Sequence, residues 1–270
     1  MSHIVKLKKT LFLESFKKID RNFWYTVVFD ILFYLALALI IFLSFLIADS
    51  VLTALKDIIP LISKLQANMA DLAGTPGLEQ DAETVLSTLK LVAVKMSGIV
   101  LATLAAICLT ATYFKGFIWG KVLNIKFDWK FYKKFLFLRL IWYIMWTAVF
   151  LSVILIMKKE AAVYLIILGV LFLYFTMIML CLFRKEESIW QIIKKTFVLG
   201  VKRFHLLLTP YILSILLLSL LYVTFSLLFS NLKTFLLILN ISTVIIFLAW
   251  LRTYISSIIK VIEKKKSFIL

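Results

Sequence analysis

The sequence has few of the residues from which catalytic and metal sites are built. Its 270 residues include two histidines and two cysteines, and 14 acidic residues against 31 lysines and arginines. His3 lies on the N-terminal tail, and His205 starts an apolar stretch, where an interfacial position explains it best. Cys108 and Cys181 lie inside apolar runs and form neither a disulfide framework nor a metal set. With no Walker A loop, HExxH pattern or CxxC pair either, we expect no catalytic residues, no metal and no cofactor.

Apolar residues, by contrast, are in large excess. They make up 63% of the chain, and the mean hydropathy is +1.05. A water-soluble domain cannot bury that much apolar surface, so the expected solvent is lipid. We predict an all-α polytopic membrane protein, a single membrane domain over 1–270. Its six transmembrane helices are expected at about 24–48, 96–119, 136–157, 162–183, the second half of 188–221, and 234–258.

A basic amphipathic segment precedes three of these spans, at 4–23, 124–138 and 188–205, and we call each one an elbow. Ser188 with Gln191 forms a capping-box pattern at the start of the third elbow. We predict three units of an elbow followed by a helical hairpin, although basic residues before a span are also common for topological reasons alone. One face of the third elbow should carry Ile189, Ile193, Phe197, Val201 and Phe204.

The distribution of charge predicts the orientation. With both termini in the cytoplasm, 24 of the 31 lysines and arginines lie on the inner side, and seven acidic residues match the seven outer ones. The net charge of +17 then belongs to the inner face of the cytoplasmic membrane, as the positive-inside rule requires. Anionic lipid headgroups are the expected partner, at about 1 kcal/mol per well-placed lysine, rather than nucleic acid. A protein partner is left open. The candidate lipid contacts are one Lys-Lys step per elbow: Lys17, Lys18, Lys133, Lys134, Lys194 and Lys195.

Residues 49–95 form the only long polar stretch, and they carry heptad repeats on both sides of a Gly-Thr-Pro-Gly turn at 74–77. We predict an external helical hairpin inserted between the first two spans; a disordered polar loop is the alternative. Pro60 should kink the first arm, or Asp57 should cap a new helix there. The predicted seam positions are Val51, Leu55, Ile58, Ile62, Leu65, Met69 and Leu72 on the first arm, and Ala82, Val85, Leu89, Val92 and Met96 on the second. The arm is expected to be a docking arm or lid, or a spacer without a partner.

Two charged residues lie within apolar spans at matching depth. Asp30 and Arg252 each lie about two turns from the cytoplasmic end of a span, so we predict that they form an intramembrane ion pair. A structural pair that locks the first and last helices together is the simpler interpretation, and a gate or proton site is the alternative. No span carries a charge near its midplane, where an ion-coupled transporter usually needs one.

The segments RNFWYTVVFDILFYL at 21–35 and KRFHLLLTPYILSILLLSLL at 202–221 combine a basic-aromatic start with a long apolar span. In this pattern the chain resembles prokaryotic six-helix membrane families related to the membrane domain of glycerophosphodiester phosphodiesterases. The resemblance implies a six-helix membrane fold. It implies no activity, because the hydrolase domain of those fusions is missing here.

These features together favour a membrane protein without catalytic activity of its own. The predicted role is a scaffold or permease-like unit acting on lipid or another amphiphile. The alternative is the membrane subunit of an ABC-type export system, in which the second or third elbow would be a coupling helix. An enzyme of lipid metabolism ranks third because the required acid, base or metal set is missing.

Overall fold

The computed structural model describes residues 12, 15–16, 19–67, 78–157, 161–229 and 232–266. Throughout this part of the chain, the regular elements are α-helices. They are α1 (Arg21–Ala67), α2 (Leu78–Leu123), α3 (Trp129–Met157), α4 (Ala161–Cys181), α5 (Ile189–Lys202), α6 (Phe204–Leu228) and α7 (Lys233–Lys266). All except α5 contain a segment long and apolar enough to cross a membrane. The prediction of an all-α chain with six such helices is confirmed.

The apolar surface of these helices faces outward. In the most apolar window of each span, only 6% to 22% of the residues are buried inside the protein. Leu155 and Leu227 are 74% and 77% exposed. Water would penalise such a surface at about 25 cal/mol per Å² of apolar area, so lipid must cover it.

Short polar side chains define several helix ends. Asp20 and Asp128 are the N-caps of α1 and α3, and each accepts a backbone hydrogen bond from the third helical residue, at 2.9 and 2.7 Å. Asn124, with φ of 57°, ends α2 in the left-handed conformation. α1 continues through Pro60, so no new helix begins at Asp57.

The chain divides into two compact units. The first comprises Met1–Leu32 with Thr112–Leu270, and the second is Phe33–Ala111. The predicted boundaries of the external hairpin, at 49 and 95, lie within the second unit.

The first unit is built around α4, which contacts α3, α5 and α7. α3 presents a buried stripe at spacings of three or four residues, which is one face of a helix. The indole of Trp142 in this stripe donates to the Thr176 hydroxyl on α4 at 2.8 Å. The stripe is formed by Phe131, Phe135, Leu138, Trp142 and Trp146.

The three predicted elbows differ from one another. The third is a separate helix, α5, and Ser188 and Gln191 form the predicted capping box. The second is not separate, because α3 runs unbroken from Trp129 into its apolar segment. Most of the first lies outside the described residues. In its described part, the Ser15 hydroxyl accepts a hydrogen bond from the Trp250 indole on α7 at 3.0 Å. The three-unit arrangement is therefore not confirmed.

The second unit contains the part of α1 from Phe33 onward and the part of α2 up to Ala111. Thr103 on α2 donates to Ser44 on α1 at 2.7 Å. Of the predicted seam positions, Leu65 is half-buried, but Leu89 is 43% exposed. The turn at 74–77 lies outside the described residues. The external hairpin at 49–95 therefore stays a prediction. The fully buried predicted seam positions are Ile58, Val85 and Val92.

Candidate functional site

The structure brings Asp30 and Arg252 together. Arg252 Nη1 donates to Asp30 Oδ1 at 3.1 Å, and Nη2 contacts Oδ2, so the guanidinium meets the carboxylate with two donors. The side chains are 2% and 8% exposed. A buried carboxylate in an apolar span needs such a partner, because desolvating an unpaired charge is costly.

Lys115 on α2 is a third member of this group, and the sequence did not identify it. Its Nζ lies 2.8 Å from Asp30 Oδ1, and its side chain is 21% exposed. We call Asp30, Lys115 and Arg252 the charged junction, since they join α1, α2 and α7. Lys115 lies eight residues before the end of α2, and Asp30 lies nine residues after the start of α1. At ~1.5 Å per residue, each is roughly 12–14 Å from that end of its helix. These similar depths could have suggested the contact.

The charged junction holds one carboxylate between two cations. Its net charge is positive, and Arg252 Nε is buried without a hydrogen-bond partner among the described residues. The arrangement lacks a nucleophile with an adjacent base, so its chemistry is that of ion pairing. Removing the carboxylate would leave the buried Arg252 and the half-buried Lys115 without the negative charge between them.

The basic Lys-Lys steps lie in different environments. Lys133 is exposed, and its ammonium lies 5.2 Å from the centre of the Trp129 ring. Lys134 is half-buried and donates to the backbone oxygen of Lys185. On α5, Lys194 is exposed, and Lys195 forms an ion pair with Glu187 at 2.7 Å. The remaining two candidate contacts, Lys17 and Lys18, lie outside the described residues.

A close approach between α4 and α5 fixes the position of the basic helix. Tyr174 donates its hydroxyl to the Gly200 backbone oxygen at 2.9 Å, and the Phe175 and Phe197 rings lie 4.9 Å apart. A Cβ on Gly200 would lie 2.5 Å from the Phe175 ring, so only glycine fits there without a shift. We call these four residues the packed junction.

The buried face of α5 agrees with the predicted one in the first part of the helix only. Ile193 is buried, and Ile189 and Phe197 pack against the core. Val201, by contrast, is 68% exposed, and Phe204, which is 43% exposed, belongs to α6. The residues buried on α5 are Ile192, Ile193, Thr196 and Gly200.

A surface ion pair ties the start of α3 to the loop before α5. Lys185 Nζ lies 2.6 Å from Asp128 Oδ2. The hydrogen bond from Lys185, together with the cap bond from the Phe131 amide, holds the pKa of Asp128 below its usual value.

Within the described residues, no group of three histidine, cysteine, aspartate or glutamate side chains could hold a metal ion. Both cysteines lie in the described part of the chain, and neither forms a disulfide there. Cys181 is buried next to the loop that leads to α5, and Cys108 is half-buried. His205 is exposed at the start of α6. Comparisons with protein-family models, with curated proteins and with solved structures find no match to this chain.

Proposed function

We propose that this chain is a multi-pass protein of the cytoplasmic membrane, with both termini in the cytoplasm. It acts as a scaffold or permease-like unit on lipid or another amphiphile, and it has no catalytic activity of its own. The observation that carries the proposal is the pairing of six membrane-spanning helices with a strong excess of basic residues in the segments on one side.

Exposed lysines at the ends of spans support the association with anionic headgroups. Lys133 at the start of α3 and Lys194 on α5 both reach the surface. Because α5 is fixed against α4 at the packed junction, its outer lysines are presented on a rigid element. The proposal that catalysis is absent rests on the scarcity of histidine and cysteine in the sequence.

Lipid analysis of the protein extracted in native lipid discs tests this function. Acidic lipids should be enriched around the protein relative to the bulk membrane. Changing the three Lys-Lys steps to glutamine should lower that enrichment, since each well-placed lysine is worth about 1 kcal/mol at an anionic surface.

The matched control changes exposed lysines that the proposed orientation puts on the opposite side. These are Lys56, Lys90 and Lys95, each changed to glutamine, and they should leave the enrichment as it is. Equal enrichment in the wild type and the Lys-Lys variant would contradict the proposal and leave those lysines with a topological role only.

A second candidate, the membrane subunit of an ABC-type export system, is favoured by α5. It is a helix of 14 residues between two spans, as a coupling helix would be, and Trp190 on it is 68% exposed. Recovery of an ATPase with the protein in mild detergent, lost on changing Trp190 to alanine, would favour this candidate over the first.

A further inference from the structure

A polar cavity of about 290 Å³ lies between the start of α1, the end of α2 and the last third of α7. Two lysines, Lys121 and Lys260, line it, together with side chains that carry amides and hydroxyls. The volume is close to the lower end of the ~300–1,000 Å³ usual for small-molecule sites. It therefore fits a compact polar group rather than a whole amphiphile.

Ser256 gives this cavity an unused buried donor. The residue is 3% exposed, and its hydroxyl has no hydrogen-bond partner within the described part of the chain. Its neighbour Ser257 donates to the Thr253 backbone oxygen at 2.8 Å, as serines in helices commonly do. A buried hydroxyl without a partner is costly, so we expect a ligand or water in the cavity to accept a hydrogen bond from the Ser256 hydroxyl.

The cavity's charges favour an anion. Lys121 is exposed at the end of α2, with its ammonium 5.6 Å from the Phe117 ring centre and 6.0 Å from that of Tyr25. The acid in the lining, Asp20, already accepts the cap hydrogen bond at the start of α1. Two lysines against one carboxylate leave the lining positive.

The depth of the cavity matches that of lipid headgroups. α1 begins at Arg21 and α2 ends at Leu123, so the lining residues lie at the ends of membrane-spanning segments. Asp30 lies four residues beyond the lining residue Thr26, roughly 6 Å further along α1 at ~1.5 Å per residue. The charged junction thus begins about one helical turn deeper than the cavity.

We propose that this cavity binds a phosphate group, with Lys121 and Lys260 pairing with its oxygens and the Ser256 hydroxyl donating to it. The phosphate belongs either to a lipid headgroup or to a soluble phosphate compound. This proposal rests on the proposed association with lipid and names a single binding site for it.

Native mass spectrometry of the purified protein in detergent tests the site with three probes: phosphatidic acid, diacylglycerol with the same chains, and inorganic phosphate. One phosphatidic acid should bind per protein, about tenfold or more tighter than diacylglycerol, which lacks only the phosphate. If millimolar inorganic phosphate displaces the bound phosphatidic acid, the ligand is a soluble phosphate compound. If it does not, the ligand is a lipid headgroup. Either result supports a phosphate site.

Two double variants test whether phosphatidic acid binding depends on the lysines of the cavity or on the basic surface in general. Lys121→Gln with Lys260→Gln should weaken phosphatidic acid binding by about tenfold or more, through the loss of two charge-assisted contacts. The matched control, Lys126→Gln with Lys130→Gln, removes two exposed lysines outside the lining and should change binding less than about twofold.

Ser256→Ala should weaken binding by about threefold while leaving the thermal stability of the ligand-free protein unchanged or higher, because an unpaired buried hydroxyl is removed. Equal binding of diacylglycerol and phosphatidic acid, or unchanged affinity in the folded Lys121/Lys260 variant, would overturn the site. Stoichiometry separates the two proposals: if the wild-type protein shows no enrichment of acidic lipids but still binds one phosphatidic acid, only the general lipid association is contradicted.

Discussion

The charged junction and the packed junction join helices of the same unit by opposite means. At the charged junction, α1, α2 and α7 meet through one carboxylate and two cations, with 2.8 Å between Lys115 and Asp30. At the packed junction, α4 and α5 meet because Gly200 has no side chain, and the only direct polar contact among its four residues is the 2.9 Å bond from Tyr174 to Gly200.

The difference follows from what each junction must hold in place. Lipid gives no hydrophobic driving force between spans, so helices in it associate through close packing and polar contacts. Charges are specific but leave a penalty if one member is lost, whereas close packing is weakened when volume is added or removed. The two junctions should therefore respond to different substitutions and by different amounts.

The largest effect is expected from removing the shared carboxylate. Asp30→Asn leaves the buried Arg252 and the half-buried Lys115 without the carboxylate they share, which should cost about 3–5 kcal/mol of unfolding free energy. Arg252→Gln should cost less, because Lys115 still balances Asp30, and Lys115→Gln least, because that lysine is 21% exposed. Unfolding by sodium dodecyl sulfate in mixed micelles measures the order.

A double variant then separates a structural pair from a gate. If Asp30 and Arg252 hold the helices together, Asp30→Asn with Arg252→Gln should recover part of the summed loss. Additive losses would contradict the structural role. Loss of a transport activity with stability intact would favour the gate or proton site.

The next effect concerns the packed junction. Gly200→Ala places a methyl group 2.5 Å from the Phe175 ring, and relieving that clash should cost about 1–3 kcal/mol. Phe175→Leu in the same chain should restore part of the loss. Thermal unfolding in detergent gives the measurement.

Gly169 on α4 is the matched control, because a Cβ there meets no atom within 4 Å. Gly169→Ala should be neutral or stabilising by up to ~1 kcal/mol, from helix propensity alone. A Gly200→Ala variant as stable as Gly169→Ala would mean that α4 and α5 are not held by close packing.

Two of the three residues of the charged junction could be predicted from the sequence. Asp30 and Arg252 stand out because each is a charge inside an apolar run, and their depths match. Lys115 did not stand out, since it lies near enough to the end of its span to be counted with the interfacial lysines. The register of α2 against α1, which brings Lys115 to Asp30, depends on packing that no local pattern encodes.

The start of α5 was predictable, but its packed junction with α4 was not. Ser188 and Gln191 mark the first turn of α5 because a capping box is a local interaction. Apolar spacing predicted the buried face only as far as Phe197. In lipid an exposed Val201 costs little, so the periodicity of apolar residues no longer reports which side is inside. Phe175 and Tyr174 on α4 select the face that Gly200 leaves open.

The smallest effect is expected at the surface pair of Asp128 and Lys185. Lys185 and the Phe131 amide both donate to Asp128 and lower its pKa in the folded state. Since the folded pKa lies below the unfolded value of about 3.9, the pair stabilises the fold above that pH. The contribution is lost as the pH falls through the folded pKa. The melting temperature should therefore drop more steeply with acid in the wild type than in Asp128→Asn.

Asparagine caps a helix as well as aspartate does, so Asp128→Asn removes the charge and keeps the cap of α3. Asp128→Ala removes both and should melt at a lower temperature than Asp128→Asn at neutral pH. If the two variants melt together, the cap contributes nothing and the ion pair is the whole effect. If the melting temperature of Asp128→Asn falls as steeply with acid as that of the wild type, the acid sensitivity belongs to other carboxylates. The surface pair would then contribute less to stability than predicted, and its contrast with the charged junction would be larger.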